Sequence, residues 1–262
     1  MPTGRIVFFE QIRWFMLIAG IHAVEEALRE GKTLEKVLVG TQSGDAALNK
    51  LLGELRAAGV PVKHVPAVKL NRLFSGAHQN IVAYVAPVAF VPLEQAVRQA
   101  FERNKRPVFV LLDGITDTRN LGAVLRSAAA FEAGAVILPA HGSAGITEET
   151  VKSSAGGIFK VDLVRVPHLL DAVYFLQSEG VAVVAATEKS SDYLENHRFD
   201  GPAAVILGNE QKGIGKRLLQ AADARLRIAI SPQMDSLNVS VAAGIFLYEM
   251  HRQRMQSGDY SK

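Results

Sequence analysis

From residue 107 onward the chain repeats one pattern: a short apolar run, a turn-rich or helical stretch, then another apolar run. The runs are VFVLLD (108–113), AVIL (135–138), VDLVRV (161–166), VAVVAAT (181–187), AAVIL (203–207) and RLRIAI (225–230). Most lack polar alternation and are rich in Val, Ile and Leu, as expected of strands buried on both faces. Strands that alternate with helical patterns imply a parallel sheet covered on both sides by helices. That architecture also says where chemistry belongs, because open parallel sheets bind ligands beyond the carboxyl ends of their strands. The residues that follow each run are the ones to search.

A smaller α/β unit precedes this one. In GIHAVEEALREG, Val24, Ala27 and Leu28 lie three and four apart and Gly31 closes the run, which predicts an amphipathic helix. DAALNKLLGELRAAG predicts a second helix, capped by Asp45 and stopped at Gly59. KVLVG, VPVKHV and IVAYVAP read as strands. The expected organisation is an extension of no assigned role at 1–17, a small unit at 18–87, a helix-bearing linker at 88–106 and a large unit at 107–262. Glu10, Gln11 and Arg13 interrupt the apolar residues of the extension, so it is a poor secretory core. It is also far short of the roughly 20 apolar residues that a membrane span needs.

Several chemistries are disfavoured. The chain has no cysteine, which rules out disulfides and thiolate metal sites and fits a cytoplasmic protein. Its seven histidines are scattered, without a pair at metal-ligand spacing, so no metal is expected. In GNEQKGIGK the second glycine of G-x-x-x-x-G is followed by Ile214 where a phosphate loop needs lysine. Gly213 and Gly215 are followed by Leu218 where a dinucleotide fingerprint needs its third glycine. Residues 1–105 carry 13 Lys and Arg against 9 Asp and Glu, a mildly basic half compatible with a phosphate-bearing partner or with chance.

Three polar clusters follow apolar runs. After VFVLLD, the helix-forming stretch TRNLGAVLRSAAAFEAG can be capped by Asn120 and carries Arg126 on a stripe with Gly122, Ala129, Ala130 and Ala133. Small neighbours leave the guanidinium clear for a ligand, or mark a tight helix contact beside a surface arginine. After AAVIL, Gly208 allows close backbone approach and Glu210 stands at the sheet mouth. Glu210 could equally interact with a helix dipole. Third, SLNVSVAAG places Ser236, Asn238 and Ser240 at the start of an apolar, buried helix. One cap suffices for a helix. The spare polar groups need partners, at a cost of about 1–3 kcal/mol each if left without them.

DGITDTRNLGAVLRSAAAFEAGAVILP, AVILGNEQKGIG and SLNVSVAAGIFLYE resemble, in order and separation, the three signature motifs of the SpoU-type RNA ribose 2′-O-methyltransferases. The likeness covers roughly 107–254, and the front unit is similar to the ribosomal-protein-like substrate-binding domain of members that modify bacterial large-subunit ribosomal RNA. The resemblance implies a deep trefoil knot in the C-terminal domain and S-adenosylmethionine as cofactor. It also implies an RNA partner and a homodimer whose active sites use both chains. By motif, Asn120, Arg126, Glu210, Ser236 and Asn238 would be catalytic, and Gly208, Ile230 and Leu237 would contact the methyl donor. His78 and Gln79, in HQNIVAYV, match a segment of the front domain, and either touch RNA or form a turn entering a strand.

The chemistry is demanding at one point. A ribose hydroxyl is a very weak acid, so it needs a base or cationic groups held at about 3 Å as its proton leaves. Arginine is too basic to be that base in its usual charged form. Arg126 is therefore expected to bind the adjoining phosphate and stabilise a developing alkoxide. Asn120 and Asn238 would fix the ribose and the loop, with Glu210 orienting Asn120 or Arg126. The alternatives are a transfer RNA substrate, or a non-catalytic RNA-binding dimer on the same scaffold.

Overall fold

A computed structural model describes residues 16–29, 31–41, 45–74, 76–85 and 88–256. The extension read at 1–17 lies outside the described residues except for Met16 and Leu17. The chain divides into two compact units, Met1–Pro87 and Val88–Lys262.

The first unit holds β1 (Met16–Ala19), α1 (Ile21–Arg29), β2 (Leu34–Gly40), α2 (Ala46–Ala57), β3 (Val62–Val65), α3 (Ala67–Leu73) and β4 (Ile81–Val85). Its sheet order is β1-β4-β2-β3. β4 runs antiparallel to both neighbours, while β2 and β3 are parallel. Asp45 caps α2 by accepting the Ala47 N–H at 2.9 Å. Val24, Leu48, Leu55 and Ile81 pack one face of the sheet, and Leu38, Val65, Leu70 and Val82 the other. β1 and α3 go beyond the elements read from sequence. α3 buries Leu70 alone, too little for a helical period to show.

His78, Gln79 and Asn80 form the turn into β4. Gln79 and Asn80 both have left-handed backbones, φ 45° and 60°, and the Ile81 N–H closes the turn on the His78 carbonyl at 2.8 Å. Gln79 Oε1 accepts the Ile21 N–H at 2.9 Å and so caps α1. His78 Nδ1 accepts the Asn80 N–H, which leaves Nε2 to donate to Asn71 Oδ1 at 2.7 Å.

The second unit begins with α4 (Leu93–Arg103), followed by β5 (Val108–Asp113), α5 (Thr118–Ala130), β6 (Ala135–Pro139), α6 (Glu148–Ser154) and β7 (Asp162–Val166). Then come α7 (Leu169–Ser178), β8 (Ala182–Ala186), β9 (Ala203–Gly208), α8 (Lys216–Ala221), β10 (Ala224–Leu226) and α9 (Val239–Gln256). The six strands are all parallel, in the order β10-β8-β9-β5-β6-β7. Phe109, Leu111, Ile137 and Ile206 are buried on the side of α4 and α7. Leu121 and Leu125 of α5 and Phe246 of α9 are buried as well, and α9 packs on α5 and β9.

Two expectations need correction. Residues 88–106, read as a helix-bearing linker, fall within the second unit, with Ala96, Val97 and Ala100 of α4 buried in its core. The apolar run at 225–230 is strand only to Leu226. β10 is an edge strand paired with β8 alone, and beyond it Arg227 bridges to Tyr193 outside the sheet.

Candidate functional site

Register brings two of the three clusters side by side. β5 and β9 are central neighbours, with Asp113 opposite Gly208 at their carboxyl ends. Their loops are stitched together at once: Asn209 Nδ2 donates to the Gly114 carbonyl at 2.8 Å, and the Gly215 N–H to Asp113 Oδ2 at 2.7 Å. Gly208 has a reason of its own. A Cβ there would lie 2.4 Å from Gly213 C, because the loop folds back on the strand end. The close approach foreseen for a ligand is thus made first by the chain's own backbone.

Asp117 is the cap of α5, accepting the Asn120 N–H at 2.8 Å; Asn120 had been expected in that role. Since Asp117 satisfies the helix end, the Asn120 side chain is released to face the β9 loop. Its Nδ2 donates to Glu210 Oε1 at 3.1 Å. The third cluster joins the same point. Asn238 Nδ2 donates to Glu210 Oε1 at 2.7 Å and to Asn120 Oδ1 at 3.0 Å. The Val239 N–H also reaches Glu210 Oε1, at 3.4 Å. On its other side Asn238 Oδ1 accepts the Ser240 N–H at 2.9 Å, as a helix cap does, and the Ser240 hydroxyl at 2.6 Å. Asn238 therefore caps α9 and completes an Asn120–Glu210–Asn238 triangle with one side chain. A carboxylate oxygen that takes several N–H donors is strongly held in place.

Beside the triangle lies a cavity of about 470 Å³. Gly208, Glu210, Ile230, Ser236 and Leu237 line it, as do Thr187, Glu188 and Lys189 after β8 and Arg227 and Ile228 after β10. The last five were not singled out in the sequence. Thr187 ends the apolar run 181–187, and the strand-end rule points to it and to the Glu188 and Lys189 that follow. The volume falls in the range of small-molecule sites, roughly 300–1,000 Å³. Its mixed polar and apolar lining suits a ligand with an aromatic base and charged ends.

Arg126 stands apart. It is exposed on α5 and makes no side-chain hydrogen bond or ion pair among the described residues. Its backbone is tightly packed, since a Cβ on Gly157 would lie 2.9 Å from Arg126 Cα. The small-residue stripe is explained at Gly122 by a helix contact: a Cβ there would lie 2.5 Å from Ser153 Cβ on α6. Next to Asn120, Arg119 and Thr118 both donate to Glu149 of α6. The bond from Arg119, followed by that from Thr118, holds the Glu149 carboxyl below the ordinary carboxylate range.

The pattern described as SpoU rRNA Methylase family matches residues 107–248. A TrmH family tRNA/rRNA methyltransferase, so named, of Staphylococcus saprophyticus is 32% identical over 247 residues, covering 93% of this chain and 98% of that protein. The chain belongs to the SpoU rRNA methylase family. Membership makes it an RNA ribose methyltransferase dependent on S-adenosylmethionine. Residues 17–91 match the pattern described as RNA 2′-O ribose methyltransferase substrate binding. The Bacillus subtilis relative YacO is 29% identical over 92% of this chain and 97% of its own length. Among solved structures, the AdoMet-bound rRNA methyltransferase of Sinorhizobium meliloti is 25% identical at a TM-score of 0.58, over 91% of this chain and 87% of that one. The SpoU methyltransferase AviRb of Streptomyces viridochromogenes shares the fold at a TM-score of 0.58 and 24% identity, over 93% and 91%. Among the described residues no helix is long and apolar enough to cross a membrane, and no group of three or more metal-ligating side chains occurs.

Proposed function

We propose that this SpoU-family protein methylates a ribose 2′-hydroxyl of large-subunit ribosomal RNA, at the rim of the cavity where Asn120, Glu210 and Asn238 meet. One observation carries the reading: three segments far apart in sequence converge in a single hydrogen-bonded triangle against a cavity of donor size.

Bound S-adenosylmethionine supplies an electrophilic methyl group on a positively charged sulfur. Gly208, Ile230 and Leu237, which line the cavity, would hold that molecule. Gly208 keeps the strand end thin, and Ile230 and Leu237 offer apolar wall. The triangle's task is positioning. Glu210 Oε1 locks both amides, so that the loop carrying Asn238 and the helix carrying Asn120 hold fixed angles to the cavity. Holding an attacking oxygen in line is worth several orders of magnitude in rate, and a displacement of about 1 Å can cost 10²-fold. Ser236, exposed on the cavity wall, has a hydroxyl to offer the donor or the ribose.

Arg126 is assigned the electrostatic role, binding the adjoining phosphate and stabilising the alkoxide as its proton leaves. Among the described residues of one chain, no hydrogen bond or ion pair joins it to the triangle. We therefore place it in the site as Arg126 of the partner subunit, in a homodimer. An exposed apolar row on α9 supports such a pairing: Val241, Ile245 and Tyr248, spaced four and three apart, are 49%, 36% and 53% exposed. A knotted C-terminal threading and a cytoplasmic location belong to the same proposal.

The front unit's match to a substrate-binding domain, and the S. meliloti neighbour's description as an rRNA methyltransferase, support the ribosomal target. The test is transfer of a labelled methyl group to large-subunit rRNA and to total tRNA, followed by mapping of ribose methylation. One methylated rRNA ribose, lost on replacing Glu210, is the expected result. Transfer to tRNA alone would overturn the ribosomal assignment, and transfer to neither would overturn the activity.

A further inference from the structure

We propose that Arg227 and Tyr193 form a clamp that fixes the wall of the donor cavity, which makes Arg227 a positioning residue for the methyl donor. The inference rests on reading that cavity as the S-adenosylmethionine site.

The wall needs support. It is built partly from 226–228 and 186–189, where the chain leaves β10 and β8. β10 pairs through three residues only and lies at the edge of the sheet, so the sheet alone holds its continuation weakly. The segment after β8 compensates by running alongside. Thr187 N–H donates to the Leu226 carbonyl at 2.9 Å, Ser190 Oγ to the Arg225 carbonyl at 2.6 Å, and Arg227 N–H to the Asp192 carbonyl at 2.9 Å. Leu194 N–H then returns to the Arg227 carbonyl at 2.8 Å. The two wall segments are thus laced to each other outside the six-stranded sheet.

Side chains lock this lacing at one place. The Arg227 guanidinium lies 4.1 Å from the centre of the Tyr193 ring, and its Nη2 donates to the Tyr193 hydroxyl. Arg227 Nε is buried with no acceptor among the described residues. A mobile arginine would turn that N–H to water; its burial marks a guanidinium pinned by stacking. The planar group does what an ammonium on a flexible stem does not, since stacking needs a plane. Neither side chain belongs to the triangle. Their effect on the reaction passes through the shape of the cavity.

The test is calorimetric titration of S-adenosylmethionine into wild type, Arg227→Met, Arg227→Lys and Tyr193→Phe. Methyl-transfer kinetics and RNA affinity are measured beside it. Arg227→Met should raise the donor Kd and the donor KM about 10-fold, with kcat at saturating donor within twofold and RNA Kd unchanged. Arg227→Lys should not rescue it. Tyr193→Phe keeps the ring, should melt as wild type does, and should raise the donor Kd two- to threefold. An unchanged donor Kd in folded Arg227→Met, or in Tyr193→Phe should Arg227→Met fail to fold, overturns the clamp. An equal fall in kcat and RNA affinity also overturns it, by pointing to general loosening. If wild type itself takes up no S-adenosylmethionine, the reading of the cavity falls and the clamp with it. A wild type that binds beside variants indistinguishable from it sinks the clamp alone.

Discussion

The two units of the chain each contain a conspicuous polar cluster, and the clusters spend their hydrogen bonds differently. In the first unit, His78-Gln79-Asn80 serves nearby structure: backbone N–H groups, and the Asn71 side chain through His78 Nε2. Gln79 caps α1, His78 Nδ1 takes the Asn80 N–H, and two left-handed residues make the turn. In the second unit, Asn120, Glu210 and Asn238 bond mainly to one another, across 28 to 118 residues of sequence. Polar groups tied to local backbone hold a fold. Polar groups tied together from distant loops, beside a cavity, hold an arrangement that folding does not otherwise need. That contrast is why we propose the second cluster for the catalytic work and read the first as framework.

The largest effect expected from this contrast lies at Glu210. Glu210→Ala removes the oxygen that both amides share, so Asn120 and Asn238 lose their common anchor. Methyl transfer at saturating donor and RNA should fall by about 10²-fold or more. The protein should melt within a few degrees of wild type, because Glu210 is exposed. Single-turnover transfer of a labelled methyl group, with a melting curve alongside, checks it. Near-normal turnover would break the comparison at its stronger end. Arg126→Lys should lose activity to a similar degree, about 10²-fold, if the planar guanidinium is what holds the phosphate. Normal turnover in that variant would remove the bidentate role while leaving the triangle intact.

Gly208→Ala should act on stability first. The new Cβ would have to displace Gly213 backbone from 2.4 Å, and forced crowding of this kind costs about 1–3 kcal/mol. Since the loop it displaces carries Glu210, activity should fall with it. Chemical denaturation and initial rates, measured on the same sample, separate the two losses.

How much of this could be read beforehand follows from which forces were local. The parallel sheet was legible because buried strands such as VFVLLD and AAVIL carry their burial in composition. The convergence of the motifs at one sheet edge followed from the strand-end rule. What sequence hid was decided by long-range pairing. RLRIAI has a strand-like pattern, but an edge position left only Arg225 and Leu226 of it paired, and Arg227, Ile228 and Ile230 became cavity wall. Asn120 looked like a cap because a lone side chain cannot show that Asp117, three residues earlier, had already taken the helix end. Helix α4 looked like a linker because a polar surface face masked the buried Ala96, Val97 and Ala100. Thr187, Glu188, Lys189 and Arg227 line the cavity through a lacing between two segments nearly 40 residues apart, which no short window reveals.

The first cluster offers the opposite prediction. Gln79→Ala removes the acceptor for the Ile21 N–H, and loss of a helix cap costs about 0.5–2 kcal/mol. Urea denaturation should show that loss, while kcat per folded molecule stays within twofold. A large fall in kcat with unchanged stability would mean that the HQN turn does more than hold its helix, and the contrast between the units would fail.

The smallest effect concerns a pairing of a third kind, tied neither to local backbone nor to the cavity. Glu149 joins the first turns of α5 and α6 through Thr118 and Arg119 on the surface. Its carboxyl is held below its ordinary range by the Arg119 bond first and the Thr118 bond second. A carboxyl whose folded pKa is depressed stabilises the fold above its unfolded pKa, and that contribution is lost as pH falls through both values. Glu149→Gln should therefore melt slightly below wild type at neutral pH. The two curves should converge below the carboxylate range, where both side chains are neutral. High salt should narrow the neutral-pH gap as well, because the pair is exposed and screened. Melting points at neutral and acid pH, each at low and high salt, decide it. A gap that persists in acid would trace the loss to packing at the α5–α6 contact, where Gly122 meets Ser153, and would separate helix docking from charge beside Asn120.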